Sequence, residues 1–448
     1  MKYHFIHTLL FGATLFVWTP TIAQVSETES IFKATPIDTN AEALSADEYR
    51  KRVLGYSLAL QQSSMQAEAV RQAMREAKTS MLPSLDFSGS AQYRINDYNL
   101  DFGGSALNMA GETYSLDLDL SLPVWKGGAI RNGYQAAKTQ YDIAKKSEEL
   151  TLHNVVYSAS VNYWSTAAKR ALYQLTERYV SLIEDLEKVV ADRFKEGLIS
   201  KTDLLSVQAR LNDARIQSNE AHKSWELAQQ NFNILMGREP MVPFYLNDQI
   251  GRRDSIPTSI FDLERALENR AEFRISELNV DYQLRQLKIQ RSKYLPTLAV
   301  GIKEGWGTQM LNFDGSTMFN TYVYASLQIP IFHWGAKYKN VASQRALVAT
   351  KQFDLQQTRD RISQELYAAY TNLVVGTKQI GIAHQACTIS KESLDLNTFS
   401  YNEGKLPIID VLSAQVAWVQ AYSSLITAML QEKVAYADYH KAIGTIDY

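Results

Sequence analysis

Residues 114–125 read YSLDLDLSLPVW, with Leu116, Leu118, Leu120 and Leu122 alternating with Asp117, Asp119 and Ser121. Successive side chains of a strand point to opposite faces, so this stretch would carry leucine on one side and carboxylates on the other. A strand over 84–97 repeats the pattern, setting Leu85, Phe87, Ala91, Tyr93 and Ile95 against Asp86, Ser88, Ser90, Gln92 and Arg94. Two more strands are expected over 297–306 and 320–331, the latter with Val323, Ala325, Leu327 and Ile329 on its apolar face. Gly/Asn-rich loops, 99–112 and 305–316, join the strands of each pair, and Pro123 and Pro330 are expected to end the second strand of each.

The chain is written twice. Glu196, Gly197, Asp203, Leu205, Ser206 and Gln208 match Glu403, Gly404, Asp410, Leu412, Ser413 and Gln415, every pair 207 residues apart. The same spacing relates Pro123 to Pro330, Gly128 to Gly335 and Gly237 to Gly444. Upstream, Leu82-Pro83 and Leu295-Pro296 correspond at 213 residues, so an insertion falls between the proline landmarks, in a surface loop. The first repeat is read over 45–240, after an N-terminal linker at 24–44; the second runs over 262–448, after an inter-repeat linker at 241–261.

Each repeat opens with a helix, Ala46 to about Met81 behind a Ser45 cap, and Asp262 to about Tyr294. After the strands comes a proline-free stretch rich in Ala, Gln, Lys and Glu, from Gly128 to Glu196 and from Gly335 to Glu403. As helix, each would be roughly 100 Å long at 1.5 Å per residue. Gly376 and Gly381 inside the second are read as points of close helix packing. Gly197 and Gly404 stop these helices, and Ser200 with Asp203, or Pro407, starts the returning ones. The helical hairpins are thus placed at 128–237 and 335–444.

Four strands with one greasy face cannot hide it within one chain. Their length suits a tilted strand crossing a bilayer, and their alternation suits lipid outside and water inside. A membrane sheet must close, because an open edge would leave backbone groups unpaired in hydrocarbon. Two chains would supply eight strands, a barrel filled by side chains; three would supply twelve, enough for a water channel. Asp117 and Asp119 would line that lumen.

Composition agrees. A net charge of −2 lacks the basic excess of a nucleic-acid binder. One cysteine, Cys387, allows neither an internal disulfide nor a cysteine metal cluster, and no cofactor, phosphate-loop or nucleophile motif stands out. Residues 1–23 read as a secretory signal peptide: Lys2, an apolar run from Phe5 to Trp18, then Thr21 and Ala23 before a cleavage site at Gln24. No cysteine follows that site, so lipidation is not expected.

These features together resemble the TolC family of outer membrane efflux proteins over about 45–444. The resemblance rests on the duplicated helix–strand–strand–helix–helix unit, the Leu-Pro strand starts, the P-[VI]-[WF]-x-x-G strand ends and the E-G-x(5)-D-[LV]-L hairpin tips. It implies an α plus transmembrane-β fold: a homotrimer sharing a twelve-stranded barrel, four strands per chain, above a long periplasmic α-helical barrel. It also implies a passive exit duct for small molecules in the outer membrane, working with a periplasmic adaptor and an inner-membrane RND or ABC transporter. The adaptor would meet the tips Gly197, Leu198, Ile199, Ser200, Gly404, Lys405 and Leu406, and Asp410 and Asp203 would stand at the periplasmic entrance. Ser413 occupies the place of a second acid and Leu406 that of a basic residue, so a second acidic ring and a charged latch are not implied.

Within the duct class, type I protein secretion is the alternative to small-molecule efflux. Outside it stand an enzyme using Asp117 and Asp119, which lacks any accompanying nucleophile or metal set, and a coiled-coil adhesin or scaffold. An adhesin should keep a strict seven-residue repeat, which is not read along these helices.

Overall fold

The computed structural model describes residues 42–95, 99–102, 105–108, 111–248, 250, 262–308 and 316–445. The stretch read as a signal peptide, 1–23, and nearly all of that read as the first linker lie outside them. In chain order the elements are β1 (Glu42–Leu44), α1 (Ala46–Tyr56), α2 (Leu58–Thr79), β2 (Ser84–Tyr93), β3 (Asn99–Phe102), β4 (Ser105–Asn108), β5 (Glu112–Lys126), α3 (Ala129–Lys195) and α4 (Lys201–Leu235). There follow β6 (Phe244–Leu246), α5 (Leu263–Asn269), α6 (Ala271–Ser292), β7 (Thr297–Thr308), β8 (Thr317–Gln328), α7 (Ala336–Asn402) and α8 (Ile408–Ala442).

The duplication is exact in the length of three helices of each half; only the opening helices differ, 11 residues in α1 against 7 in α5. Both halves use a 22-residue helix, a 67-residue helix and a 35-residue returning helix. Left-handed glycines recur at matched places: Gly128 and Gly335 before the long helices, Gly197 and Gly404 at the tips, Gly237 and Gly444 after the returning helices. Each long helix packs against a short helix toward the sheet and against the returning helix toward the tip. Its length therefore needs no globular core.

Four strands form one antiparallel sheet in the order β2-β5-β7-β8. The register places Leu85 opposite Leu120 and Phe87 opposite Leu118, while Leu120 meets Ile302 and Ile302 meets Val323. One face is therefore an apolar band, interrupted at Glu304 and its neighbour Thr321. The other carries Asp86, Asp117, Asp119, Lys303 and Tyr324.

Several readings need correction. The leading helix of each half is broken, at Ser57 and at Arg270. The Ser57 hydroxyl caps α2 by accepting the Leu60 amide, at 3.3 Å. β5 continues through Pro123 to Lys126, with the register slipping between Pro123 and Trp125, since proline has no N–H for the ladder. The first strand connection holds a short ribbon, β3 paired with β4. The segments read as linkers also pair: β1 lies parallel to β6. That pair covers a buried cluster in which Tyr49 stacks on Phe232 (centroids 3.9 Å apart) and Phe232 on Phe244 (4.2 Å). The Tyr163 hydroxyl donates to the Leu44 carbonyl at 3.0 Å and accepts the Asp248 amide at 3.3 Å, tying both strands to α3. A methyl group on Gly376 would touch the Glu432 backbone at 3.8 Å, whereas Gly381 has no neighbour within 4 Å, so within one chain close packing holds for the first only. Finally, α7 does carry a seven-residue stripe, Val375, Ile382, Ile389 and Leu396, each more than half exposed in the single chain.

The second break is held by a buried ion cluster. Arg270, 4% exposed, donates to both carboxylate oxygens of Glu272 at 3.0 Å, to Glu365 at 2.7 Å and to the Ala442 carbonyl at 3.4 Å. Burial pushes the Glu272 carboxyl up, but the Arg270 hydrogen bonds and charge outweigh it and hold the group below the usual carboxylate range. A depressed pKa contributes stability that is complete above the unfolded value and lost as pH falls through the folded one. Arg270→Met, which leaves the half-buried Glu272 without its cation, should cost about 3–5 kcal/mol. Glu272→Gln should destabilise at pH 7 by about 1.5–3 kcal/mol, a deficit that closes as pH falls below 4.5. Thermal melts followed by circular dichroism in detergent between pH 7 and pH 3 measure both.

Candidate channel face and hairpin tips

The polar face of the sheet is organised around Asp117 and Asp119. Lys303 Nζ lies 3.3 Å from Asp117 Oδ1, and the Ser115 hydroxyl donates to Asp117 Oδ2 at 3.3 Å. The Tyr324 hydroxyl reaches across β7 to Asp119, 3.0 and 3.2 Å from its two oxygens. It can do so because Gly301 lies beneath it: a methyl group there would sit 2.5 Å from Tyr324 Cζ. Gly305 clears space for Asp117 in the same way, at 2.7 Å from Oδ1. Asp86 stands directly opposite Asp119 on β2. Thus Asp117 is paired with a lysine, while Asp119 is held by a neutral tyrosine hydroxyl and stands opposite a second carboxylate. Lys303 and Tyr324 were missed from the sequence; the signal was glycine at 301, 305 and 307, all on one face of a strand.

At the far end of the long helices lie the two tips. At the first, the Leu198 amide donates to the Arg193 carbonyl at 2.9 Å and the Gly197 amide to Phe194 at 3.0 Å, an arrangement that requires the left-handed φ of +75° at Gly197. Ser200 and Asp203 then form a reciprocal capping box. The second tip repeats the turn at Gly404, with the Lys405 amide on the Ser400 carbonyl at 2.9 Å, but its helix starts at Pro407, which offers no side-chain cap. The matched acids therefore differ: Asp203 is engaged by Ser200, whereas Asp410 has no capping hydroxyl to hold. Leu198 is 69% exposed, Gly197, Ser200, Gly404 and Lys405 are exposed, and Ile199 and Leu406 are half-buried.

The tips are joined by a residue outside the sequence-based candidates. Arg193, in the last turn of α3, donates to the Tyr401 carbonyl at 3.3 Å and the Asn402 carbonyl at 3.1 Å, with its guanidinium 4.8 Å from the centre of the Tyr401 ring. Beneath this link Val190, Val207, Ile408, Val411 and Leu412 form a buried cluster shared by both hairpins. The structure thus has a charged tie between the tips that does not use the position of Leu406.

The sequence profile of the family described as "Outer membrane efflux protein" matches residues 50–238 and 263–445, one match per half. The chain belongs to this family. Among curated proteins it is similar to Outer membrane efflux protein BepC of Brucella suis, 19% identical over 343 residues and covering 74% of each chain. It is also similar to Protein CyaE of Bordetella pertussis, 21% identical and covering 82% of this chain and 77% of that one. Among solved structures it superposes on CusC with a TM-score of 0.77 at 15% identity, covering 92% of this chain and 96% of that one. For the Campylobacter jejuni CmeC outer membrane channel the score is 0.73 at 18% identity, covering 89% and 85%. At such identities the structural likeness establishes the fold. Proteins of this efflux family are homotrimeric channels that work with a periplasmic adaptor and an inner-membrane pump. This chain is accordingly an outer membrane channel subunit that extends into the periplasm.

The Arg193 tie has a direct test. Spin labels at Leu198 and Lys405 should report one narrow distance distribution in the parent chain. Arg193→Ala should add a longer, broader component, which Arg193→Lys only partly removes because a lysine cannot span two carbonyls with a planar fork.

Proposed function

We propose that this exit duct carries small molecules delivered by its inner-membrane pump, and that Asp410 supplies the charge that filters them at the periplasmic entrance. The observation that supports this reading is the contrast between the two tips. Three copies of Asp410 around a threefold axis would form a ring of carboxylates free of any cap, which attracts cations and resists anions. Asp203, tied to Ser200, serves its helix start, where a carboxylate is worth about 0.3–1 kcal/mol. Small-molecule cargo is favoured because the sequence shows no Met- or His-rich stretch of the kind that passes metal ions along a lumen.

The remaining roles follow from placement. Gly197, Leu198, Ile199, Ser200, Gly404, Lys405 and Leu406 form the surface that meets the adaptor, with Leu198 as its most exposed apolar side chain. Asp117 and Asp119 line the barrel lumen, Asp117 paired with Lys303 and Asp119 held by Tyr324. We assign no catalytic role to either, since Lys303 and Tyr324 already occupy them.

Planar-bilayer recordings test the filter. Asp410→Asn should lower the cation-to-anion permeability ratio several-fold, while Asp203→Asn should leave it unchanged and only loosen the tip. Gly404→Trp, which strains the left-handed turn at φ +73° and adds bulk to the tip, should abolish adaptor crosslinking with the trimer intact; unchanged crosslinking would remove the tips from the docking surface. A deletion strain should become sensitive to lipophilic cations.

A further inference from the structure

Around the barrel the halves of each chain alternate, and only the joint between the two halves of one chain is formed within it. At that joint β5 pairs with β7, and α3 packs on α6 as well as on α2. The turn Gly127-Gly128 sits hard against the end of α6: a methyl group on Gly127, at φ +57°, would lie 2.7 Å from Leu295 Cβ and 2.8 Å from the Ser292 carbonyl oxygen. Ser292 is 2% exposed there.

The repeat spacing defines the equivalent positions at the other joint, where β8 of one copy must meet β2 of the next. Gly127 corresponds to Trp334 at 207 residues, and Ser292 and Leu295 correspond to Thr79 and Leu82 at 213. These equivalents are bare. Trp334 is 90% exposed, Leu82 is 61% exposed and Thr79 is exposed. Ala136 and Thr139, buried on α3, correspond to the exposed Ser343 and Ala346 on α7, which packs on one 22-residue helix, α6, where α3 packs on two. Trp334 is also the one non-glycine residue with positive φ among those described, at +47°, and Phe332 meets it edge to face at 5.0 Å. A tryptophan is thus held in the positive-φ conformation that a glycine takes at the matched turn, beside an uncovered apolar strip.

We propose that Trp334 is the wedge of the joint between copies, seated against Thr79 and Leu82 of the neighbouring copy. The occupant is a second copy rather than lipid for two reasons. Trp334 follows the edge strand that faces the next copy, and its counterpart Gly127 is turned toward the next half and not outward. The joints then alternate around the ring, a glycine contact inside each chain and a tryptophan contact between chains. A near-sixfold barrel is thereby made threefold at the level where strands give way to helices. This rests on the trimer and not on its cargo, so its failure would leave the efflux reading standing.

The test places p-benzoyl-L-phenylalanine, an aromatic of similar bulk, at position 334 of the full chain in cell envelopes. Irradiation should give dimer- and trimer-sized products whose linked peptide contains residues 79–82. The reverse probe at position 82 should map to residues 331–338 and covers the case in which the first chain fails to assemble. Products joined to lipid, links confined to one chain, or intact trimers without any linked product would each overturn the proposal.

Discussion

The whole assembly depends on what the two free edges of one sheet can do in a bilayer. β2 and β8 are bonded on one side only, and hydrocarbon offers no water to satisfy the other. The four strands alternate in direction, so β2 and β8 run antiparallel to each other. A sheet with such edges can join copies of itself head to tail with every ladder antiparallel. The membrane thus forces association, and the even strand count makes closure regular. The helices follow suit: α7 carries its bare seven-residue stripe on the chain that also carries the bare edge β8.

Within that ring, function resides where the halves differ. Twenty-two-, 67- and 35-residue helices repeat without change, as do the left-handed glycines that end them. Against this background Ser200 is answered by Pro407, which releases Asp410 from the cap that holds Asp203. Gly127 is answered by Trp334. Arg193, at the end of α3, binds carbonyls at the end of α7. A duplicated scaffold supplies the geometry, and single departures from the repeat supply charge, a tie and a wedge.

Much of this was legible in the chain itself. Alternation at Leu116 to Leu122 and at Leu85 to Tyr93 revealed two-faced strands, because a period of two leaves little other choice. The glycines at 197 and 404 marked the tips for a similarly local reason. What escaped were features set by residues distant in sequence. The Lys303–Asp117 and Tyr324–Asp119 contacts depend on strand register, and register appears only once β5 and β7 are aligned. Pairing of β1 with β6 joins segments about 200 residues apart, each too short to show a period. Proline misled in the opposite direction: Pro123 reads as a strand end, yet a bulge lets β5 pass it. The stripe from Val375 to Leu396 was hidden because much of the rest of the same helix is polar.

Cysteine scanning along β5 tests the closed, water-centred barrel most directly. Residues 116 to 120 would be replaced one at a time in the intact trimer and exposed to a membrane-impermeant thiol reagent. Reaction at positions 117 and 119, with positions 116, 118 and 120 protected by lipid, is the pattern this account predicts. Uniform reaction at all five, or protection of 117 and 119 with labelling of the leucines, would contradict it.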